Sequence, residues 1–98
     1  MYNRVEQIGL IYYVSSNKVT INSNEYIKVT LKERELFKNA SGEYVYSFIT
    51  CYLPEVFEPF ISEDKLVFFK GRLREINKST YFIVDDFKLL DAKFLEEK

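Results

Sequence analysis

The chain has 98 residues, which is enough for one domain but not for two separate hydrophobic cores. Hydrophobic residues make up 47% of the sequence and charged residues 30%, a composition that can bury a core. The 14 basic and 15 acidic residues give a formal net charge of −1. This balance excludes bulk attraction to a polyanion, so any nucleic-acid site must come from local segregation of charge.

Several kinds of chemistry lack the side chains that they need. The sequence has no histidine, the commonest general base and metal ligand. Its single cysteine, Cys51, can form neither an internal disulfide nor a thiolate cluster, and its apolar neighbours are typical of a core position. No apolar run is long enough to span a membrane, and the charged first ten residues do not resemble a signal peptide. We therefore expect a cytoplasmic protein that is not an enzyme and that binds no metal or cofactor.

The first part of the chain predicts a strand that is interrupted once. Val, Ile and Tyr alternate with polar residues over residues 3–14, and Gly9 within this run indicates a bulge or a close approach of another backbone. Residues 15–17 are predicted to turn the chain into a short apolar run at residues 18–21.

Alternation of the same kind predicts the remaining strands, at residues 25–37, 44–53, 65–74 and 80–90. Residues 38–43 have turn chemistry and predict a hairpin loop, and a second hairpin loop is predicted at residues 77–79. Pro54 suits the first turn of a short helix that extends to residue 61. The whole is predicted to be an all-β domain with one short helix.

The period of two divides each of the long strands into a core row and an outer row. The predicted core rows are Ile27, Val29 and Leu31, then Val45, Ile49, Cys51 and Leu53, then Val67, Phe69 and Leu73. The predicted outer rows are Tyr26, Lys28, Thr30, Lys32 and Arg34, then Tyr44, Tyr46, Phe48, Thr50 and Tyr52, then Phe68, Lys70, Arg72 and Arg74. The outer rows therefore combine aromatic rings with Lys and Arg.

A sheet surface that mixes rings with cations suits an unpaired nucleic-acid strand, because rings stack on bases while cations meet phosphates. Charge is also segregated, since residues 65–78 contain five basic residues and one acidic residue. The pattern leaves alternatives open. Outward aromatics also pack beneath a helix, a loop or another subunit, and lysines on a strand also protect an edge from aggregation.

Segments spread along almost the whole chain carry a family resemblance. They are Met1-Tyr2-Asn3-Arg4-Val5 with Gly9, Val29-Thr30-Leu31 with Phe37 and the turn Ala40-Ser41-Gly42-Glu43, Phe48-Ile49-Thr50-Cys51, residues 67–74 ending in Gly71-Arg72-Leu73-Arg74, and residues 84–91. This ordered series resembles the bacterial single-stranded DNA-binding proteins of the SSB type.

The resemblance implies an OB fold over residues 1–91, a five-stranded barrel with one short helix between strands 3 and 4, followed at 92–98 by a short tail or helical turn. It places Phe37 and Phe48 at stacking positions and Arg4, Arg72 and Arg74 along the DNA path. With the outer rows, the predicted DNA-binding residues are Arg4, Lys28, Lys32, Arg34, Phe37, Tyr46, Phe48, Tyr52, Phe68, Lys70, Arg72 and Arg74.

The sequence departs from the family in two ways. It has no tryptophan, and it does not contain the family's long tail with an acidic tip, so we expect a bare or divergent binding module. Phe94 and Leu95 are expected to dock on the barrel, with a reduced partner motif as the alternative. Asp85 and Asp86 are adjacent in a predicted strand, where neighbours point to opposite faces, so they are not expected to form a catalytic pair.

Two functions from different classes follow from these expectations. The first is a non-catalytic, nucleoid-associated protein that coats single-stranded DNA in replication, recombination or repair. The alternative is an OB module that serves as an interaction or oligomerisation subunit of a replication complex, with weak or no DNA binding. In either case a homodimer or homotetramer is expected, for which residues 10–13 offer apolar material, and RNA in place of DNA stays open.

Overall fold

The chain forms a closed five-stranded barrel in this computed structural model, which describes residues 4–90 except for the side chains of residues 34–37. The strands are β1 (Arg4–Ile21), β2 (Asn24–Lys38), β3 (Tyr44–Pro54), β4 (Leu66–Ile76) and β5 (Ser79–Leu90), and a 3₁₀ helix (Glu55–Phe60) joins β3 to β4. Around the barrel the order is β1-β2-β3-β5-β4, with β4 paired back to β1 and β3 parallel to β5. This is an OB fold, so the predicted fold class is confirmed.

The predicted tail at residues 92–98, including Phe94 and Leu95, lies outside the described residues. Within residues 4–90, no helix has the length and apolar character that crossing a membrane requires.

The barrel interior is filled by the rows that the period of two predicts. The buried cluster comprises Ile11, Ile27, Val29, Leu31, Cys51, Leu53, Val67, Phe69, Phe82 and Val84. Val45 is half-buried, and Ile49 is half-buried against the cluster. The prediction for Leu73 is wrong, because this side chain is 41% exposed. Leu73 pairs with Phe82 of β5 and stands one position beyond Arg72, the last residue of β4 that pairs with β1 within residues 4–90.

Two tight turns close hairpins of the barrel. Asn22 and Ser23 join β1 to β2 with φ angles of 50° and 69°, and Asn77 and Lys78 join β4 to β5 with φ angles of 53° and 70°. Positive φ at both central residues is typical of the type I′ turn, whose twist matches that of paired strands. Between β2 and β3 the side-chain oxygen of Asn39 accepts the backbone N–H groups of Ser41 and Glu43. The predicted hairpin loops are confirmed.

The predicted turn at residues 15–17 is wrong, because β1 continues through it. Its register with β2 shifts between Ile11 and Tyr13 and again between Val14 and Lys18. In the second bulge the Ser15 hydroxyl accepts the backbone N–H of Asn17 at 3.2 Å. Residues with turn chemistry thus satisfy the polar backbone of a bulge, and the bulges bend a single strand of 18 residues so that it pairs with both β4 and β2.

Gly71 allows a close approach between β4 and β5. A Cβ atom added to this glycine would overlap the carbonyl oxygen of Ile83 and lie 2.8 Å from the Cα atom of Val84. Lys70 pairs with Asp86 while Gly71 pairs with Val84, so Asp85 is an extra residue in β5. The glycine and the bulge together set the position of the charged residues beside them.

Candidate nucleic-acid interface

A cluster of rings and one lysine lies on the outer surface of β1, β2 and β3. We call it the aromatic wall and define it by Tyr12, Lys32, Tyr46 and Phe48. Lys32 pairs with Phe48 across β2 and β3, and Arg34 pairs with Tyr46 next to it. The three rings are exposed, at 54% for Tyr12, 46% for Tyr46 and 55% for Phe48. The outer rows predicted for β2 and β3 therefore do face solvent here.

The members of the aromatic wall position one another. The Nζ atom of Lys32 lies 4.2 Å from the ring centroid of Tyr46 and 5.9 Å from that of Tyr12. The rings of Tyr12 and Phe48 meet edge to face, with their centroids 5.0 Å apart. These distances suit cation–π and aromatic pair interactions. Four side chains from three strands are thus held together while their rings stay accessible.

Tyr12 is the member of the aromatic wall that the sequence prediction missed. The predicted apolar edge at residues 10–13 is divided in the structure, because Ile11 is fully buried whereas Leu10, Tyr12 and Tyr13 are exposed. A regular strand would send Tyr12 and Tyr13 to opposite faces. The bulge between Ile11 and Tyr13 adds one residue and leaves both tyrosines outside. The sequence signal that could have indicated this bulge was the Tyr12-Tyr13 pair, which stands one residue before the turn-forming residues 15–17.

A second pair of rings continues the outer row of β3. Tyr52 pairs with Lys28 of β2, and its ring meets that of Tyr81 edge to face at 5.1 Å. Burial raises the pKa of the Tyr52 phenol, and Tyr81 and Cys51 raise it further, so the phenol is neutral at physiological pH. Phe48 and Tyr52 are four positions apart along β3, which corresponds to about 13 Å. The rings therefore form a row rather than a single contact.

Three other predicted DNA-binding cations, Arg4, Lys70 and Arg72, lie in a groove formed by β1, β4 and β5. This charged groove has a volume of about 350 Å³ and is lined by Arg4, Lys70, Gly71, Arg72, Asp85 and Asp86. The Nε atom of Arg72 lies 3.4 Å from Oδ2 of Asp85, and the Nε atom of Arg4 lies 3.7 Å from Oε2 of Glu6. Glu6 also pairs with Lys70 in the register of β1 and β4. Carboxylates from β1 and β5 therefore accompany the basic residues of β4.

The groove also corrects the expectation for Asp85 and Asp86. Both are exposed and both line the groove, because the bulge at Asp85 interrupts the alternation of the strand. Within the described part of the chain, no group of three or more suitable side chains could hold a metal ion. The pKa of the Cys51 thiol is raised to about 12 by burial, so this cysteine is a poor nucleophile in the folded protein.

The predicted DNA-binding residues thus fall into separate groups. Lys32, Tyr46 and Phe48 belong to the aromatic wall, Lys28 and Tyr52 lie further along the same surface, and Arg4, Lys70 and Arg72 line the charged groove. Arg74 is exposed and pairs with Tyr81, while Phe68 is half-buried and pairs with Ile8. Arg34 and Phe37 lie on β2, but their side chains are outside the described set, so their roles stay predictions.

Comparison with known proteins supports the fold. No family model matches the chain, and no curated protein sequence matches it. The single-stranded DNA-binding protein of Thermus aquaticus has a similar structure, with a TM-score of 0.66 and 16% identity over 95% of this chain and 52% of that one. The priB protein of Ralstonia solanacearum gives a TM-score of 0.67 and 10% identity over 92% of this chain and 100% of that one.

An SSB of Plasmodium falciparum, solved in complex with ssDNA, gives a TM-score of 0.65 and 14% identity over 93% of this chain and 96% of that one. The chain spans about half the length of the Thermus aquaticus chain, 52%, and nearly all of the other two, 100% and 96%. At these identities the similarity shows the fold alone. The barrel implied by the resemblance in the sequence is confirmed.

Proposed function

We propose that the protein is a non-catalytic binder of single-stranded DNA, which coats unpaired strands during replication, recombination or repair. The observation that carries this proposal is the aromatic wall, in which the ammonium group of Lys32 lies over the exposed rings of Tyr46 and Tyr12, and a third exposed ring, Phe48, meets Tyr12 edge to face. Rings of this kind offer planes to bases, and the ammonium offers a charge to the phosphates between them. In a duplex the base planes are stacked on one another, so the surface selects unpaired strands.

The affinity comes mainly from stacking. One base stacked on an aromatic side chain contributes about 1 to 3 kcal/mol, and every base has a flat face, so binding does not depend on sequence. Lys28 and Tyr52 extend the path along β3 beyond Phe48. Arg34 and Phe37 of β2, and Phe68, Lys70, Arg72, Arg74 and Arg4 around the groove, complete the set of residues proposed to contact the strand.

The structural comparison supports the same proposal. A protein solved in complex with ssDNA shares this barrel, and the wall lies on the faces of β2 and β3 that OB folds commonly use for oligonucleotides. The buried, reduced Cys51 is consistent with the cytoplasm, which we propose as the location. We propose no catalytic activity, because the site offers rings and cations for binding rather than a nucleophile paired with a base.

A fluorescence titration tests the proposal. The protein is mixed with oligo-dT and, separately, with a duplex of equal length. We expect tight binding to oligo-dT that weakens as salt rises, and much weaker binding to the duplex. Equal affinity for the two, or no binding to either, would refute the proposal. An oligo-U titration in the same buffer measures whether the site accepts RNA.

A second function, self-association, is favoured by an apolar stripe that adjoins the aromatic wall, since Leu10 pairs with Lys32 across β1 and β2. Ile8 and Leu10 are exposed on β1, and Ile8 lies opposite the half-buried Phe68 of β4. Such a stripe suits contact with a second copy of the chain or with a replication protein. Light scattering of the wild type and of Ile8→Glu measures this contact. We expect an oligomer for the wild type and a lower mass for the variant.

A further inference from the structure

The charged groove contains an ion pair among the basic residues that line it. Arg72 Nε lies 3.4 Å from Asp85 Oδ2, and both side chains are about half exposed, at 53% and 48%. An exposed pair of this kind is weak, so a competing anion can separate it. A carboxylate and a phosphate each offer two acceptor oxygens that a guanidinium group can bind at the same time.

The backbone sets this pair in place. Asp85 is the extra residue of a bulge in β5, next to the register pair of Gly71 and Val84, while Arg72 directly follows Gly71. Arg72 pairs with Ile83, and Asp85 stands two positions after Ile83, so the alternation of the strand already directs both side chains to the same face. Asp86 differs from it, because its Oδ1 atom accepts the backbone N–H of Phe87 at 2.9 Å. Asp85 is therefore the carboxylate of β5 that is directed to a cation.

We propose that Asp85 is an internal competitor of the DNA phosphate for Arg72, and that it sets the affinity of the charged groove for single strands. This inference rests on the proposed function. In the free protein Asp85 holds the guanidinium group, and a bound phosphate has to displace it. The aromatic wall holds a strand firmly, whereas the groove holds it weakly and releases it first. A protein that coats single strands benefits from a weakly binding groove, because the released part of the strand can be passed on to another protein.

The substitution Asp85→Asn tests the inference, because it keeps the size of the side chain and removes its charge. We expect oligo-dT to bind about twofold to fivefold more tightly at low salt, which is the effect of freeing one exposed ion pair for a phosphate. The slope of log K against log salt should steepen by about 0.7, the value for one more phosphate contact on a single strand.

Glu25→Gln is the matched control. Glu25 is an exposed carboxylate at the start of β2 and belongs neither to the aromatic wall nor to the groove, yet its replacement changes the net charge by the same amount. We expect this variant to gain less than twofold in affinity. An equal gain in both variants would assign the effect to net charge and would overturn the inference.

A double-mutant cycle then assigns the gain to Arg72. Arg72→Gln alone is expected to change affinity by less than twofold, since Asp85 already occupies this cation. In the double variant Arg72→Gln with Asp85→Asn the gain should disappear. A gain that persists without Arg72 would overturn the inference, and so would an unchanged affinity of Asp85→Asn while the wild type binds oligo-dT. Failure of every variant and of the wild type to bind would overturn the proposed function together with it.

Discussion

The aromatic wall and the charged groove both carry cations on the outside of the barrel, but they compensate those charges differently. In the aromatic wall Lys32 lies against two rings, and the ion pairs between described side chains do not include Lys28 or Lys32. In the groove Arg72 and Arg4 lie against carboxylates. A ring attracts a cation without neutralising it, so the charge stays available to a phosphate. A carboxylate neutralises it and has to be displaced.

This difference shows that affinity does not follow from the number of basic residues. The groove contains three cations within a small volume, yet Glu6, Asp85 and Asp86 bring an equal number of carboxylates to it. The aromatic wall has one lysine and three rings. We therefore expect the wall to supply most of the binding free energy and the groove to adjust it.

The largest effect is expected from a change that disrupts the groove itself. In Gly71→Ala the new Cβ atom would overlap the backbone of β5, which cannot yield as a flexible side chain would. We expect the free energy of unfolding to fall by about 3 kcal/mol, the upper part of the range for overpacked sites. Urea denaturation measures it.

Gly42→Ala is the control for this substitution. Its added Cβ atom meets nothing within 4 Å, but Gly42 has a φ of +83°, so a cost of about 1 kcal/mol is expected from the backbone alone. If Gly71→Ala is no more destabilising than Gly42→Ala, the close approach of β4 and β5 does not constrain the fold.

The next prediction compares a ring of the aromatic wall with an exposed ring elsewhere on the protein. Phe48→Ala removes a platform for one base, so we expect oligo-dT binding to weaken by about 5-fold to 150-fold, the equivalent of 1 to 3 kcal/mol. Phe60→Ala is the matched control, because Phe60 lies on the 3₁₀ helix and is 59% exposed against 55% for Phe48. It should bind like the wild type.

The reactivity of Cys51 shows whether these two variants stay folded. This thiol is buried within the barrel, and burial raises its pKa to about 12, so it should react with a thiol reagent only after unfolding. Similar slow labelling in both variants would assign a loss of binding in Phe48→Ala to the missing ring. Equal binding by Phe48→Ala and Phe60→Ala would contradict the role of the wall.

A smaller effect compares one cation from each region. Lys32→Gln removes the charge between the rings, so we expect affinity to fall about threefold to fivefold and the salt slope to become shallower by about 0.7. Lys32→Arg should restore both values, because a guanidinium group also stacks on tyrosine. Arg72→Gln should lose less than Lys32→Gln, since its charge is already neutralised by Asp85. A larger loss of affinity in Arg72→Gln than in Lys32→Gln would show that the groove contributes more to binding than the aromatic wall.

The sequence predicts the strands, the core rows and much of the aromatic wall, because these depend on alternation within one strand. Ile27, Val29 and Leu31 are buried and Phe48 is exposed as the period of two requires. Bulges break that period, and sequence alternation does not reveal them. The exposed position of Tyr12 and the shared groove of Asp85 and Asp86 both depend on an added residue in a strand.

The sequence also could not predict which basic residues are neutralised by carboxylates. The count over residues 65–78 predicts a basic stripe, since five basic residues stand there against one acidic residue. The strands on either side of β4 lie outside that stretch, β1 far away in the sequence and β5 directly after it, and in the barrel they bring Glu6 and Asp85 to the basic residues. A local count therefore overestimates the field that a phosphate would meet. The pairing of strands, not composition, decides which cations are neutralised.

The smallest effect is expected from a lysine that belongs to neither region. Lys18 follows the second bulge of β1, and its Nζ atom lies 3.4 Å from carboxylate oxygens of both Glu55 and Glu58 on the 3₁₀ helix. The hydrogen bonds that the Lys18 ammonium donates to the carboxylates of Glu58 and then Glu55 raise the pKa of Lys18 above its ordinary value of 10.5. A raised lysine pKa means that the pair stabilises the fold at pH values below 10.5 and that this contribution is lost as the pH rises through the raised pKa.

Lys18→Met should therefore lower the Tm slightly at pH 7 and low salt, because exposed ion pairs stabilise proteins little. The difference from the wild type should shrink in high salt, which screens the pair, and again as the pH rises through the raised pKa of the lysine. Oligo-dT affinity should stay within twofold of the wild type. A Tm difference that is the same at every pH and salt concentration would assign the effect to the packing of the lysine side chain on the helix rather than to its charge.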